Sequence, residues 1–225
     1  MVTTVSKDLM NYWPIKNDLR DYIGYSDMSP GTNLEVNGSV SFGPDRFGNP
    51  NGAIYLNHGY YTVPDAIYFS GSFSILAWIK LVSLTHGARL IDFGTPTASY
   101  CNVVVQMVSA LTPQPCFFIT DSGGQSSTVT TGFLFDLNKW YHIGAVLNGT
   151  DLYFYIDGVL QGSRSGLITP PNYMRQNCYF GRSAWHGGGD YDADAYFDEI
   201  KFYSRALTQA EVQNDMNIFN SNTFF

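Results

Sequence analysis

Charge is scarce in this 225-residue chain: 14% of its residues are charged, against roughly 25% in an average soluble domain. Charged side chains solvate the outer faces of helices, so the shortage argues against a helical protein. Glutamate is nearly missing. Of the nineteen acids only Glu35, Glu199 and Glu211 are Glu, and the other sixteen are Asp, the poorer helix former and the residue of turns and hard-cation sites. Twelve basic residues against nineteen acids leave a net charge of −7 and a pI near 4.8, which repels a phosphate backbone and excludes nucleic acid as an expected partner. No run approaches eighteen consecutive apolar residues, so membrane insertion by a helix is not expected. The first twenty residues mix Lys7, Asp8, Lys16 and Asp18 among the apolar ones, so no signal-peptide apolar region is present. A cytosolic chain, or a piece of a longer exported one, is the expectation. Cys101, Cys116 and Cys178 show neither Cys-x-x-Cys spacing nor a nearby His pair, which argues against zinc or a thioredoxin-type centre. One disulfide with a thiol left over and three free thiols are both open.

Apolar residues make up 44% of the chain and aromatics 16%, and they fall in short runs of period two. Ser72 to Leu81 places Phe73, Ile75, Ala77, Ile79 and Leu81 on one face, the pattern of a half-buried strand. Lys139 to Leu147 repeats it with Tyr141, Ile143, Ala145 and Leu147. Leu152 to Ile156 follows, and Asp157-Gly158 then divides two apolar runs, the strongest short-range hairpin signal. Gly38 to Phe42, Ala53 to Leu56, Tyr60 to Val63, Ala88 to Phe93, Asn102 to Val108, Cys116 to Thr120, Asn177 to Gly181 and Ala195 to Tyr203 read alike. Roughly a dozen strands separated by Gly, Pro, Asn and Asp predict a sandwich or barrel. One helix is expected, opened by the capping box Thr208-Gln209-Ala210-Glu211 and running towards Met216. Without helices between strands, parallel crossovers are excluded and the sheets must be mainly antiparallel. No repeat or charged linker divides the chain, so one domain over residues 1–225, with its core at about 10–216, is expected.

Four segments in order carry a resemblance: Arg46 to Leu56 (RFGNPNGAIYL), Phe73 to Lys80 (FSILAWIK), Trp140-Tyr141-His142 through Tyr155-Ile156-Asp157-Gly158, and Phe197 to Leu207 (FDEIKFYSRAL) with Glu211. Together they resemble a laminin-G-like jelly roll of the concanavalin A-like lectin and glucanase superfamily, over about Tyr12 to Met216. The resemblance implies two curved antiparallel sheets packed face to face, in agreement with the periodicity.

It also implies a candidate cation site. Where family members bind Ca²⁺, the Asp of the final Phe-Asp-Glu strand, here Asp198, often acts with a loop near the N-terminus. That loop reads Asn17 to Gly24 and keeps Asp21 and Gly24, while Ile23 and Tyr25 replace flanking polar residues. Asp21 and Asp198 as side-chain ligands, with the Asp21 to Gly24 backbone, would form a structural Ca²⁺ clamp. Separately, Asp190, Asp192 and Asp194 alternate after a triple glycine, which suits either a hard cation or a solvated loop tip.

Catalysis has little support. The Glu-x-Asp-x-x-Glu pattern of the superfamily's glycosidases is absent, and His58, His86, His142 and His186 stand in no His-Glu-x-x-His or Gly-x-Ser-x-Gly setting. Binding is the stronger candidate. Trp185, His186, Asp190, Tyr191 and Asp192 gather in a glycine-rich loop, offering an aromatic face for a sugar ring and polar partners for its hydroxyls; Trp185 packed over the sandwich end is the structural counterpart. The sequons Asn37-Gly38-Ser39 and Asn148-Gly149-Thr150 lean towards an exported protein. Cys101 and Cys116 flank two strand-like runs, so a cross-strand disulfide would join them. The leading expectation is a non-catalytic, calcium-stabilised module that binds glycan or glycoprotein at an extracellular or cell surface. A protein-binding adhesion module and a polysaccharide hydrolase or lyase are the alternatives.

Overall fold

A computed structural model describes residues 7–31, 38–96 and 101–217. In chain order the strands are β1 (Leu9–Trp13), β2 (Ser29–Pro30), β3 (Ser39–Gly43), β4 (Ala53–Asn57), β5 (Tyr61–Thr62), β6 (Phe73–Leu81), β7 (Arg89–Gly94) and β8 (Val103–Gln106). They continue as β9 (Cys116–Thr120), β10 (Ser126–Thr130), β11 (Trp140–Asn148), β12 (Asp151–Ile156), β13 (Val159–Arg164), β14 (Asn177–Phe180) and β15 (Asp194–Tyr203), before the helix α1 (Gln209–Met216). The first sheet runs β13-β12-β11-β6-β15-β4-β3, with β1 also paired to β15, and the second runs β10-β9-β8-β7-β14-β5-β2. Every pairing between these strands is antiparallel. The all-β antiparallel sandwich with one short C-terminal helix is therefore what these residues form.

The inward positions of both sheets build one core. Phe73, Ile75, Ala77, Ile79 and Leu81 of β6 face Phe93, Val103, Val105, Phe117 and Ile119 of the second sheet in a single buried cluster. Trp13 sits edge-on to Phe180 and Phe202 at 5.3 and 5.1 Å, a geometry that aromatic quadrupoles favour. The alternation breaks at one place the sequence does not show: β15 shifts register between Asp198 and Lys201, where Glu199 has φ +51. This bulge turns Glu199 and Lys201 towards a buried polar cluster.

The capping box forms as expected. Thr208 Oγ1 accepts from the Glu211 N–H at 3.3 Å, and Glu211 Oε2 accepts from the Thr208 N–H at 2.8 Å. The helix then lays Val212 on Leu76, Val146 and Tyr155, on the outer face of the first sheet.

The disulfide expectation is corrected. Cys101, Cys116 and Cys178 are all free thiols. Cys116 pairs with Gln106 across β8 and β9, while the Cys101 N–H donates to the Asp121 carbonyl at the other end of that strand pair. Five residues of strand separate these levels, about 17 Å, where a disulfide needs Cα atoms within about 7 Å. Of the two sequons, Asn37 lies outside the described residues, and Asn148 is exposed at the end of β11, beside the turn to β12.

Candidate functional site

Strand alternation on the second sheet puts Phe117 and Ile119 into the core and leaves Phe118 and Thr120 on the outer face. The register aligns Thr128, Phe118, Val104, Asp92 and Tyr179 in one row across β10, β9, β8, β7 and β14. Val104 and Asp92 are fully buried on this outer side because the loop of residues 182–192, leaving β14, lies over them. The Ala184 N–H donates to Asp92 Oδ2 at 2.9 Å, and Asn102 Nδ2 donates to Asp92 Oδ1 at 2.7 Å. Burial pushes the Asp92 carboxyl up to about 6, against the pull of the Arg89 guanidinium and these two donors.

This loop carries Trp185 to a point 6.3 Å from the Phe118 ring. Arg89 lies against both rings, its guanidinium 5.7 Å from Phe118 and 5.9 Å from Trp185. Arg89, Phe118, Thr120, Gly124, Ser126 and Trp185 together line an open cleft of about 350 Å³. Two aromatic surfaces offer apolar contact and the Ser126 hydroxyl, 3.2 Å from that of Thr128, adds a polar partner, the composition of a small-ligand site.

Of the sequence-predicted ligand residues, Trp185 lines this cleft and Tyr191 is half exposed nearby in sequence. The others are engaged within the protein. Asp190 accepts from Arg89 at 2.7 Å and from the Ser183 hydroxyl at 2.8 Å. Asp192 is fully buried and takes Arg182 Nε and Nη2, both at 2.7 Å, while His186 Nδ1 lies 3.3 Å from its Oδ1. Asp194 accepts from Tyr55 and Ser83. The three alternating aspartates thus serve three separate sets of partners instead of one cation. Sequence reasoning missed Arg89, Phe118, Thr120, Gly124 and Ser126; an aromatic at the outward position of a patterned strand, Phe118, was the available signal.

The proposed calcium residues also separate into two clusters. The Asp21 carboxylate accepts from Asn11 Nδ2 at 2.6 Å, from the Tyr12 N–H at 2.8 Å, and from the Ile23, Gly24 and Ser26 N–H groups at 3.0 to 3.1 Å. Gly24 is held so tightly that a Cβ there would clash with the Asn11 amide and the Asp21 carboxylate. Asp198 instead meets Arg46 at 3.0 Å and the Glu199 N–H at 2.7 Å. The Arg46 side chain is 8% exposed, and its guanidinium lies 4.6 Å from the Trp78 ring. Burial and the neighbouring Glu199 push the Asp198 carboxyl up, and Arg46 opposes them. Positively polarised N–H groups occupy the directions a cation would need, so these residues do not fit a shared Ca²⁺. Among the described residues no group of three or more His, Cys, Asp or Glu is placed to hold a metal ion. The expected result is a melting temperature unchanged between excess EDTA and excess Ca²⁺, read by circular dichroism; a rise with Ca²⁺ would overturn this.

A family model, Laminin_G_3, described as the concanavalin A-like lectin/glucanases superfamily, matches residues 56–213. No curated protein sequence matches the chain. Among solved structures, it is similar to domain 4 of AbnA, a GH43 extracellular arabinanase from Geobacillus stearothermophilus, in complex with arabinotriose. The TM-score is 0.76 at 19% identity, over 93% of this chain and 98% of that one. It is also similar to the binding domain of Paraclostridial Mosquitocidal Protein 1 (TM-score 0.66, 19% identity, 96% of this chain and 53% of that one). A structure of botulinum neurotoxin type C, whose cell entry depends on two ganglioside molecules, matches with TM-score 0.68 and 17% identity over 93% of this chain and 51% of that one. The chain thus spans about half the length of the toxin structures. At these identities the likeness is one of fold. With a family model matching more than half its length and a two-sheet antiparallel sandwich to go with it, the chain belongs to the laminin G-type family of the concanavalin A-like lectin/glucanases superfamily.

Proposed function

We propose that this chain is a non-catalytic carbohydrate-recognition module whose site is the cleft between Trp185 and Phe118. The observation that carries the reading is a loop tryptophan brought over an outward-facing sheet phenylalanine, with the Ser126 hydroxyl in the same cleft. The aromatic faces suit the apolar side of a sugar ring, and hydroxyls suit its edge. The structural likeness to an arabinanase domain in complex with arabinotriose supports this reading. The acids of the loop, Asp190 and Asp192, are each committed to an arginine, which leaves them poor candidates for a glycosidase acid and base. An extracellular setting goes with the reading, supported by that relative's description as extracellular; the free thiols lend it no help.

Titration of an oligosaccharide panel including arabinotriose, by calorimetry, tests the proposal. Trp185→Ala is expected to weaken the best ligand at least tenfold, about 1.4 kcal/mol, with the melting temperature kept close to wild type. A panel without binding, or a variant that binds as well as wild type, would overturn it.

A further inference from the structure

We propose that the Arg89–Asp190 ion pair is the latch that builds the cleft, and that by committing its charges there it makes the ligand a neutral glycan. The ligand class rests on the carbohydrate reading above; the latch does not. Trp185 is followed by Gly187-Gly188-Gly189, a stretch with almost no side chains to order it. What lies on either side of those glycines is fixed to β7. Arg89 Nη2 donates to Asp190 Oδ2 at 2.7 Å and to Ser183 Oγ at 3.3 Å, and Ser183 Oγ also donates to Asp190 and accepts from the Trp185 N–H at 3.1 Å. One guanidinium therefore ties both ends of the segment that presents Trp185. The seat is close-fitting: Gly87 has φ +72, and a Cβ there would run into the Asp190 carboxyl. Arg89 Nη1 is anchored in turn on the Gly87 carbonyl at 2.7 Å.

The same geometry sets the charge of the cleft. The guanidinium faces Asp190 at 2.7 Å and Asp92 at 3.8 Å, and His86 Nδ1 stands 3.3 Å from Asp190 Oδ1. Around Arg89, two carboxylates against one guanidinium leave no excess positive charge, so a sugar carboxylate entering beside Trp185 would meet a cation already committed to Asp190 and would be repelled. Asp190 is a positioning residue here, since it acts through Arg89 and Ser183.

Asp190→Asn tests both parts, and Asp190→Glu serves as the conservative variant. In the Asn variant the emission of Trp185, isolated by comparison with Trp185→Phe in each background, is expected to shift to the red, and the glycine segment is expected to be cut faster by protease while the global melting transition persists. Asp190→Glu is expected to recover part of both signals. Binding of arabinotriose and of a galacturonic acid trimer is then measured in each protein. Wild type is expected to favour the neutral trimer at least tenfold, and Asp190→Asn to lose most of that preference. Unchanged Trp185 emission and protease resistance in Asp190→Asn would overturn the latch, whatever the sugars do. Equal or tighter binding of the galacturonic acid trimer by wild type would overturn the neutral class, and absence of binding to either sugar by wild type, with the loop signals as expected, would count against the carbohydrate reading and not against the latch.

Discussion

Lys201→Met is expected to be strongly damaging, costing about 3 to 5 kcal/mol and lowering the melting temperature by roughly 10 °C for a domain of this size. The Lys201 ammonium lies 2.7 Å from Asp215 and 3.3 Å from Glu199, with each of these side chains 8% exposed or less. The fully buried His142 adds Nε2 at 3.1 Å from the other Asp215 oxygen, and the Tyr12 hydroxyl donates to Glu199 at 2.6 Å. One buried ammonium therefore holds two carboxylates that belong to different elements, and its loss takes the ammonium from both, leaving Asp215 with the His142 ring alone. Thermal and denaturant melts measure the cost; a melting temperature within a couple of degrees of wild type would refute it. Replacing Lys201 and Asp215 together by apolar residues should restore part of the loss, because the remaining cost is then packing and Glu199 alone.

The same cluster governs acid stability. Burial pushes the Asp215 carboxyl up, but Lys201 and then His142 outweigh it and hold the group down at about 2. The unfolded group titrates near 3.9, so the folded state binds the proton more weakly. Its contribution is complete above about pH 4 and is lost as pH falls through about 2. Lys201→Met is expected to flatten this part of the acid limb, measured as the melting temperature at successive pH values; an acid limb parallel to wild type would contradict it.

Asp21→Ala carries the second large effect, about 3 kcal/mol, because its carboxylate satisfies five N–H donors at once, including the backbone groups of Tyr12, Ile23, Gly24 and Ser26. Each buried donor left without an acceptor costs about 1 to 3 kcal/mol, and partial rehydration at the loop surface reduces the sum. Asp21→Asn should fall between, since an amide offers one acceptor oxygen and turns its NH₂ against the others. Hydrogen exchange of the Tyr12 and Ser26 amides reads the effect locally. Slow exchange persisting at both in Asp21→Ala would show that other acceptors had taken over.

These results separate what was legible from what was not. Strands such as β6, β9 and β11 were readable because alternation of apolar side chains is a local property, set by which residues face the core. The helix cap was readable for the same reason: Thr208 and Glu211 satisfy one another within four residues. β1, the short β2 and the polar β10 carry weaker alternation and lie outside the patterned runs. The bulge at Glu199 was hidden because the sequence of β15 keeps its β character through it.

The candidate site divides along the same line. Trp185 stood out in the sequence because a tryptophan beside three glycines needs a reason. Its partners could not be found there: Arg89 is about a hundred positions away and Phe118 lies on another strand. The aspartates were visible as a charge pattern, but their meaning was not. Composition and spacing by themselves determined an Asp-rich, antiparallel all-β chain, sandwich or barrel, with one capped helix; the choice of a sandwich came with the family resemblance. Only the tertiary structure decided that Asp190 and Asp192 face arginines, that Asp198 faces Arg46, and that Asp21 gathers N–H donors. A carboxylate accepts metal, guanidinium or amide equally well by its own chemistry. For Asp190 and Asp198 the answer lies with arginines 101 and 152 positions away, which packing brings to 2.7 and 3.0 Å.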